Sequence, residues 1–129
     1  MLLPDDYTQA ALDAEFHVQV EIDRVVLPSK VFGEAVVEGR VARVFRGDPA
    51  LLGSNISFEV SSIREGASIP PSGVRWQIAE ALERAVAIEA YLNRNGYGGY
   101  AIARWQSFLL DAVTDTPARL ITEADLEPV

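Results

Sequence analysis

The chain has 129 residues, no cysteine and a net charge of −8 at pH 7, and 49% of its residues are hydrophobic. This size and composition are typical of a soluble globular protein, and we expect residues 1–129 to form one domain. The lack of cysteine excludes disulfides, thiolate metal sites and cysteine nucleophiles. No apolar run approaches the roughly 18 residues that a membrane-spanning helix needs.

The negative charge is concentrated at the two ends of the chain. Residues 1–27 contain six acids and one base, and residues 111–129 contain five acids and one base. The middle, residues 28–110, is almost neutral, with eight acids and nine bases. Because phosphate binding needs a surplus of positive charge, we expect no general affinity for nucleic acids or anionic membranes.

The first residues do not look like a secretory signal. Residues 1–6 read MLLPDD, without the basic region and the long apolar region that such signals contain. A cytoplasmic location is therefore the default expectation. The alternative that a leader has been trimmed from the start stays open.

The first two elements are predicted to be a short helix and a strand. Residues 1–14 are predicted to form an N-terminal arm or a short helix, capped by Asp5 or Asp6. Residues 15–23 alternate between polar and apolar side chains, which predicts a half-buried strand. The side chains expected to face the core are Phe16, Val18, Val20 and Ile22.

Two further strands are predicted to complete an antiparallel unit over residues 15–63. Residues 31–46 are strongly β-favouring, but their apolar positions change parity near Gly39. This predicts a bulge, a sharp coil or burial of both faces. Residues 56–61 alternate cleanly again and are predicted to form a hairpin with the preceding strand.

The pattern then changes to a helical period. Residues 75–94 are predicted to form one long amphipathic helix, because their apolar residues recur at spacings of three and four. This stripe contains Ile78, Leu82, Ala85, Ile88 and Leu92. Asn95 and Gly96 are predicted to end the helix, since glycine adopts the left-handed conformation without a steric penalty.

The remaining chain is predicted to be a last strand, residues 99–110, and a surface tail, residues 111–129. The element order predicts an α+β fold, in which a curved antiparallel sheet or an OB-like, partly open barrel packs against the helix.

A family resemblance supports the barrel interpretation. The run GRVARVFRGDPALLGSNISFEV, residues 39–60, resembles the glycine-bent strand, turn and strand of small OB-like barrels. It is particularly similar to the tissue-inhibitor and netrin-like branch of these barrels. The ending GGYAIARWQSFLLDAVTDTP is similar to uncharacterised conserved bacterial proteins, which implies a bacterial origin.

The resemblance implies a binding function but transfers no functional residue. The inhibitor modules of that branch use disulfides and an N-terminal cysteine, and this chain has no cysteine. OB-like folds in general imply binding to oligonucleotides, oligosaccharides or proteins, and the fold alone does not choose among them.

The best candidate for a binding site is an aromatic corner near the C-terminus. Tyr97 and Tyr100 flank two glycines, and Arg104 and Trp105 follow closely. With Arg43 from the second strand, these five residues are the predicted contacts for a ligand or partner. The main hypothesis is therefore a non-enzymatic binding or protein-interaction module, whose partner is a protein, including a second copy of this chain.

The first alternative is an oligonucleotide- or oligosaccharide-binding barrel. Arg40, Arg43 and Arg46 would line its groove together with aromatic side chains. In a regular strand, the side chain of Arg43 would lie on the opposite face from those of Arg40 and Arg46. All three can lie on one face only if the strand contains an irregularity. The favoured interpretation is that the three arginines form ion pairs on the outer face.

The second alternative is a small hydrolase or lyase that uses His17, the only histidine. Glu15 or Glu21 would assist it from the same strand. A single histidine without an HxH or HExxH spacing is a poor metal-site signal, so His17 is interpreted as a surface residue. Asp111 and Asp115 lack the acid density and glycine of a calcium loop.

No nucleophile elbow, P-loop or dinucleotide fingerprint is present in the sequence. We therefore predict no catalytic residue, no metal site and no cofactor, and lean against enzymatic activity.

Overall fold

The computed structural model describes residues 3–126, so residues 1–2 of the predicted arm and residues 127–129 of the predicted tail lie outside the described residues. The helices are α1 (Pro4–Asp13) and α2 (Ala79–Arg84). The strands are β1 (Phe16–Val26), β2 (Phe32–Arg46), β3 (Asn55–Ile63), β4 (Gln77–Ile78), β5 (Ala87–Arg94) and β6 (Tyr100–Leu110). Two 3₁₀ turns lie at Pro49–Leu51 and Glu123–Asp125.

The predicted α+β fold is confirmed. The six strands form one strongly curled mixed sheet in the order β4-β3-β2-β1-β5-β6, and this sheet makes a half-barrel. All neighbouring strands are antiparallel except β3 and β4, which are parallel. No helix among residues 3–126 combines the length and the apolar character that crossing a membrane requires.

The first half of the chain folds as its alternating pattern predicts. β1, β2 and β3 form the expected antiparallel unit, in which Val20 pairs with Val41 and Val37 pairs with Phe58. Helix α1 is also present, but its N-cap is Leu3 rather than an aspartate. Asp6 still contributes, because its side chain accepts a 2.8 Å hydrogen bond from the Leu3 N–H.

The predicted long helix over residues 75–94 is wrong. Only Ala79–Arg84 is helical, and Ala87–Arg94 is strand β5. Six consecutive residues of β5 are buried, because the core covers one face and other segments of the chain cover the other. Burial on both faces removes the alternation that identifies a strand, and alanine, leucine and glutamate favour helix locally. Pairing with both β1 and β6 overrides that preference.

The core fills the interior of the half-barrel. β1, β2, β3, β5 and α2 supply its fully buried side chains, which include Val18, Val20, Val37, Val41, Phe58, Leu82, Ile88 and Leu92. Ile102 and Leu109 of β6 pack against it. A second, smaller cluster lies on the opposite side of β5, where Tyr91 packs with Ala11 and Ala14 near α1.

Three irregularities in the pairing of β1 with β2 explain why the apolar residues of β2 change faces along the sequence. Ala42 and Phe45 are extra residues on β2, and Asp23 is an extra residue on β1 opposite Gly39 and Glu38. A Cβ atom at Gly39 would lie 2.2 Å from the Glu21 carbonyl oxygen, so only glycine permits this close approach.

Candidate functional site

Tyr97 lies at the tip of the hairpin that joins β5 to β6, and 94% of it is exposed. The turn is ordered by Asn95, whose side-chain oxygen accepts hydrogen bonds from the N–H groups of Tyr97 at 2.8 Å and Gly99 at 3.1 Å. The Asn95 N–H donates to the Gly99 carbonyl at 3.0 Å. Gly96 and Gly98 take φ values of 84° and 82°, which explains the glycines of this corner. The turn therefore presents the Tyr97 ring to solvent.

Tyr100 points the other way. It begins β6, is only partly exposed and packs against the core. Its ring meets Phe16 edge-on, with the ring centroids 5.5 Å apart. The two tyrosines of the predicted corner therefore differ: the Tyr97 ring is exposed to solvent, and the Tyr100 ring packs against the core.

A cavity of about 460 Å³ separates the hairpin from the outward face of β2 and β3. We call this cavity the seam groove, because it lies where the two edges of the half-barrel approach each other without pairing. Its walls include Val36, Ser57 and Glu59 on one side and Tyr97, Gly99, Tyr100 and Ala101 on the other.

Glu59 is the charged residue in the wall of the seam groove. It is exposed, and its carboxylate makes no hydrogen bond or ion pair with any side chain or backbone group of residues 3–126. On the same face of the sheet, other glutamates do have arginine partners: Glu21 pairs with Arg40 at 3.2 Å, and Glu38 with Arg24 at 3.9 Å. The groove therefore presents an uncompensated carboxylate beside an exposed aromatic ring.

A bulge in β6 closes the seam beyond the groove. Ile102 pairs with Leu92 and Ser107 with Ala90, so four residues of β6 stand opposite one residue of β5. Within this bulge, Arg104 and Trp105 adopt left-handed φ values of 40° and 59°. Two adjacent non-glycine residues in this conformation cost roughly 1–2 kcal/mol each.

The bulge carries Trp105 across to β3. Its indole N–H donates to the Ser61 hydroxyl at 3.1 Å, and that hydroxyl donates to Glu34 at 2.9 Å. From β4, the Gln77 side chain donates to the Ser107 carbonyl at 2.9 Å. These side chains bridge the two edges and leave only a small polar cavity of about 110 Å³, which shares Glu59 with the seam groove.

The structure brings together only part of the predicted site. Tyr97 and Tyr100 line the seam groove, and Trp105 lines the smaller cavity next to it. Arg104 is exposed in the bulge and lines neither cavity. Arg43 lies on a different surface, where it forms a 3.0 Å ion pair with Asp115 of the C-terminal tail.

The three arginines of β2 share one face of the sheet. Because of the extra residues in β2, Arg40, Arg43 and Arg46 pair with alternate residues of β1. Each has partners within the chain. Arg40 pairs with Glu21 and Arg43 with Asp115, while Arg46 donates hydrogen bonds of 2.7 to 3.2 Å to three backbone carbonyls at the end of α1.

A second polar region, which we call the anchor cluster, lies beneath the C-terminal tail. It contains His17, Gln19, Glu89 and Tyr91, all of them buried. The Glu89 carboxylate accepts four hydrogen bonds: from the His17 Nε2–H at 3.0 Å, from the Gln19 amide at 2.7 Å, and from the N–H groups of Ala118 and Arg119, both at 2.8 Å.

The other members of the anchor cluster also bind the tail. The Tyr91 hydroxyl donates to the Arg119 carbonyl and accepts from the Ile121 N–H, both at 2.9 Å. Gln19 accepts a 2.8 Å hydrogen bond from the Thr114 N–H and donates to its hydroxyl at 2.7 Å. The cluster therefore holds residues 114–121 against the sheet.

Burial and hydrogen bonding shift the pKa values of both titratable groups in this cluster. Burial lowers the pKa of His17 below 6.5, although the hydrogen bond and negative charge of Glu89 oppose that shift. Burial alone raises the pKa of Glu89, but its hydrogen bonds from Gln19, His17, Ala118 and Arg119 outweigh burial and hold the pKa below 4.5. At neutral pH the pair is therefore a neutral imidazole that donates to a carboxylate.

The interpretation of His17 as a surface residue is wrong. His17 is 1% exposed, and its ring lies between Tyr91, stacked with a centroid distance of 4.0 Å, and Phe45 at 5.1 Å. The β1 pattern places His17 on the non-core face, but segments distant in sequence cover that face. Glu15 and Glu21, the acids proposed to assist it, pair instead with Arg94 and Arg40.

Several residues of these two regions were missed by the sequence interpretation. Glu89 is a lone acid inside the apolar run AIEAYL, and this signal indicates a buried carboxylate with partners. No comparable signal marks Glu59, because an exposed glutamate in an alternating strand is ordinary. Among residues 3–126, no group of three or more His, Cys, Asp or Glu side chains is arranged to hold a metal ion.

Comparison of the chain with protein-family models, curated proteins and solved structures found no match.

Proposed function

We propose that this protein is a non-enzymatic interaction module that binds a partner polypeptide in the seam groove, with Tyr97 as the main anchor. The observation that carries the proposal is the 94% exposure of an aromatic side chain on an ordered turn beside a cavity of about 460 Å³. Aromatic residues next to concave surfaces dominate the binding energy of many protein interfaces. A turn already ordered by Asn95 lowers the entropy cost of binding.

The geometry favours this proposal over the two alternatives. Arg40, Arg43 and Arg46 have intramolecular partners, so binding a nucleic acid would require breaking existing hydrogen bonds. His17 is buried, and its Nε2–H is held by Glu89 rather than directed into a cavity. General acid-base catalysis requires such a group within hydrogen-bonding reach of a substrate.

The test is selection of peptides from a randomised display library against the immobilised protein, followed by affinity measurements on the Tyr97→Ala variant. Loss of a central aromatic anchor should weaken binding by about tenfold or more. Ile69→Ala is the matched control, because Ile69 is also a large exposed apolar residue and lies outside the groove. Equal affinity of Tyr97→Ala and Ile69→Ala, or the absence of any enriched peptide for a protein that is also a monomer by light scattering, would overturn the proposal.

Tyr100→Ala is a less suitable test, because it removes packing against Phe16 as well as groove surface. If the partner is a second copy of this chain, light scattering will give the mass of a dimer for the wild type and of a monomer for Tyr97→Ala. Either a peptide or a second copy in the groove agrees with the proposal, and NMR shifts of the Gly98 and Gly99 amides would locate the contact.

A further inference from the structure

We infer that the segment bound in the seam groove is extended and carries a lysine or arginine side chain, which lies between Tyr97 and Glu59. This inference rests on the proposed function and specifies the chemistry of the partner. It follows from the charge of the groove, from the aromatic ring in its wall and from the unpaired strand edge beside it.

The charge of the groove favours a cationic ligand. Among residues 3–126, its walls contain one carboxylate, that of Glu59, and no lysine, arginine or histidine. Glu59 has no partner among residues 3–126, so a bound cation would not have to displace an existing ion pair. The chain as a whole carries a net charge of −8, which also attracts a basic partner over distance.

The Tyr97 ring supplies the second contact. A guanidinium or ammonium group within about 6 Å of an aromatic ring face gains a cation–π attraction. The same chain already uses this contact at Arg75, which lines the neighbouring small cavity and whose guanidinium lies 3.9 Å from the centroid of the Tyr7 ring. A basic side chain that enters between Tyr97 and Glu59 would meet an aromatic face on one side and a carboxylate on the other.

The strand edge favours an extended backbone. β3 pairs with β2 along its whole length, but β4 covers its other edge only at Ser62 and Ile63. This edge of β3 has no strand partner before Ser62 among residues 3–126, and the Trp105 side chain of β6 crosses it at Ser61, so the open stretch is Asn55 to Glu59. An open edge is a template for a further strand, and peptides that add to such edges place alternate side chains in adjacent pockets.

The experiment uses four labelled peptides of about seven residues, a usual strand length, with alternating valine and threonine and a central arginine, lysine, glutamine or glutamate. Fluorescence polarisation would measure their affinity for the whole chain. We expect the arginine and lysine peptides to bind about tenfold more tightly than the glutamate peptide, and increasing salt from about 50 to about 300 mM should reduce that difference.

Glu59→Gln and Glu83→Gln separate the local effect from net charge. Glu83 is also exposed and without a partner among residues 3–126, but it lies on α2, outside the groove. Glu59→Gln should weaken binding of the arginine peptide by roughly threefold to tenfold and leave the glutamine peptide unchanged, whereas Glu83→Gln should change neither.

Any one of three results would overturn the inference. The first is that the glutamine peptide binds as tightly as the arginine peptide, and the second is that the proteins Glu59→Gln and Glu83→Gln bind the arginine peptide alike. The third is that N-acetyl-arginine amide competes as well as the whole peptide. If peptides without basic residues are enriched and their binding still depends on Tyr97, the inference fails but the proposed function stands. If Tyr97→Ala binds every peptide as the wild type does, the proposed function fails as well.

Discussion

The anchor cluster and the seam groove are two polar regions of the same sheet, but the carboxylate of the first is hydrogen-bonded within the chain and that of the second is not. In the anchor cluster, the Glu89 carboxylate is 0% exposed and accepts four hydrogen bonds from within the chain. In the seam groove, Glu59 is exposed and has no partner among residues 3–126. Both are glutamates on strands, and only their surroundings make one carboxylate part of the fold and leave the other accessible to a partner.

This difference shows how a functional surface can be recognised without a known relative. Buried polar groups must be paired, because an unpaired buried donor or acceptor costs about 1–3 kcal/mol. A cluster in which every group is paired is explained by stability alone. An exposed carboxylate beside an exposed ring adds little to stability, so the surface that contains both is the better candidate for binding.

The difference between Glu89 and Glu59 is tested most directly by replacing each with alanine. Glu89→Ala leaves the N–H groups of Ala118 and Arg119 without their acceptor, together with His17 and Gln19. Because several buried donors lose their acceptor at once, we expect a loss of about 3–5 kcal/mol in the free energy of unfolding, measured with urea, and faster amide exchange at both tail residues. Glu59→Ala is the matched substitution and should change stability by less than about 0.5 kcal/mol.

A loss below about 1 kcal/mol for Glu89→Ala would mean that the tail is held mainly by other contacts. The anchor cluster would then be no more structural than the groove, and the contrast between them would not support a choice of site.

The sequence predicted the strands whose apolar residues alternate with polar ones and failed at β5, where that alternation is lost. Phe16, Val18 and Val20 alternate with polar residues, so β1 was identified correctly even though His17 and Gln19 on its second face are buried. β5 has the same extended backbone, but its second face carries Tyr91 as well as Glu89. Without a polar alternation, its local composition favours helix, and only the pairing partners of β5 determine the strand.

The same limit applies to the sites. The sequence identified the corner that contains Tyr97, because closely spaced glycines mark a turn and expose its side chains. It did not distinguish Tyr97 from Tyr100, since the inward position of Tyr100 depends on Phe16, which is distant in sequence. His17 was misplaced for the same reason, because its ring is covered by Phe45 and Tyr91, which are distant in sequence.

The pH dependence of stability provides a second test of the anchor cluster. The pKa of His17 is below 6.5 in the folded chain, so below about pH 6.5 the unfolded chain binds a proton that the folded chain does not. Stability should therefore fall as the pH drops below 6.5, with a slope of at most about 1.4 kcal/mol per pH unit. The pKa of Glu89 is also lowered, so a further loss follows below about pH 4.5 as that carboxylate becomes protonated.

His17→Gln identifies the source of the first loss. Because the chain has only one histidine, this variant should show a nearly flat dependence of the urea midpoint on pH between about 6.5 and 5.5. The wild type should show a slope over the same range. An unchanged slope in His17→Gln would show that the imidazole is not held neutral by burial, which would contradict a fully covered anchor cluster.

The smallest expected effect concerns the bulge at the closed end of the seam. Arg104 has a φ of 40° and is exposed, and its carbonyl, which accepts from Gln106, is retained in any substitution. Arg104→Gly should therefore leave stability unchanged or raise it by up to about 1 kcal/mol, because glycine adopts a positive φ without strain. Ala101→Gly in the same strand is the control and should lower stability by about 0.5–1 kcal/mol, since Ala101 has no positive φ to relieve. Equal losses in the two variants would mean that the left-handed conformation of Arg104 stores no strain.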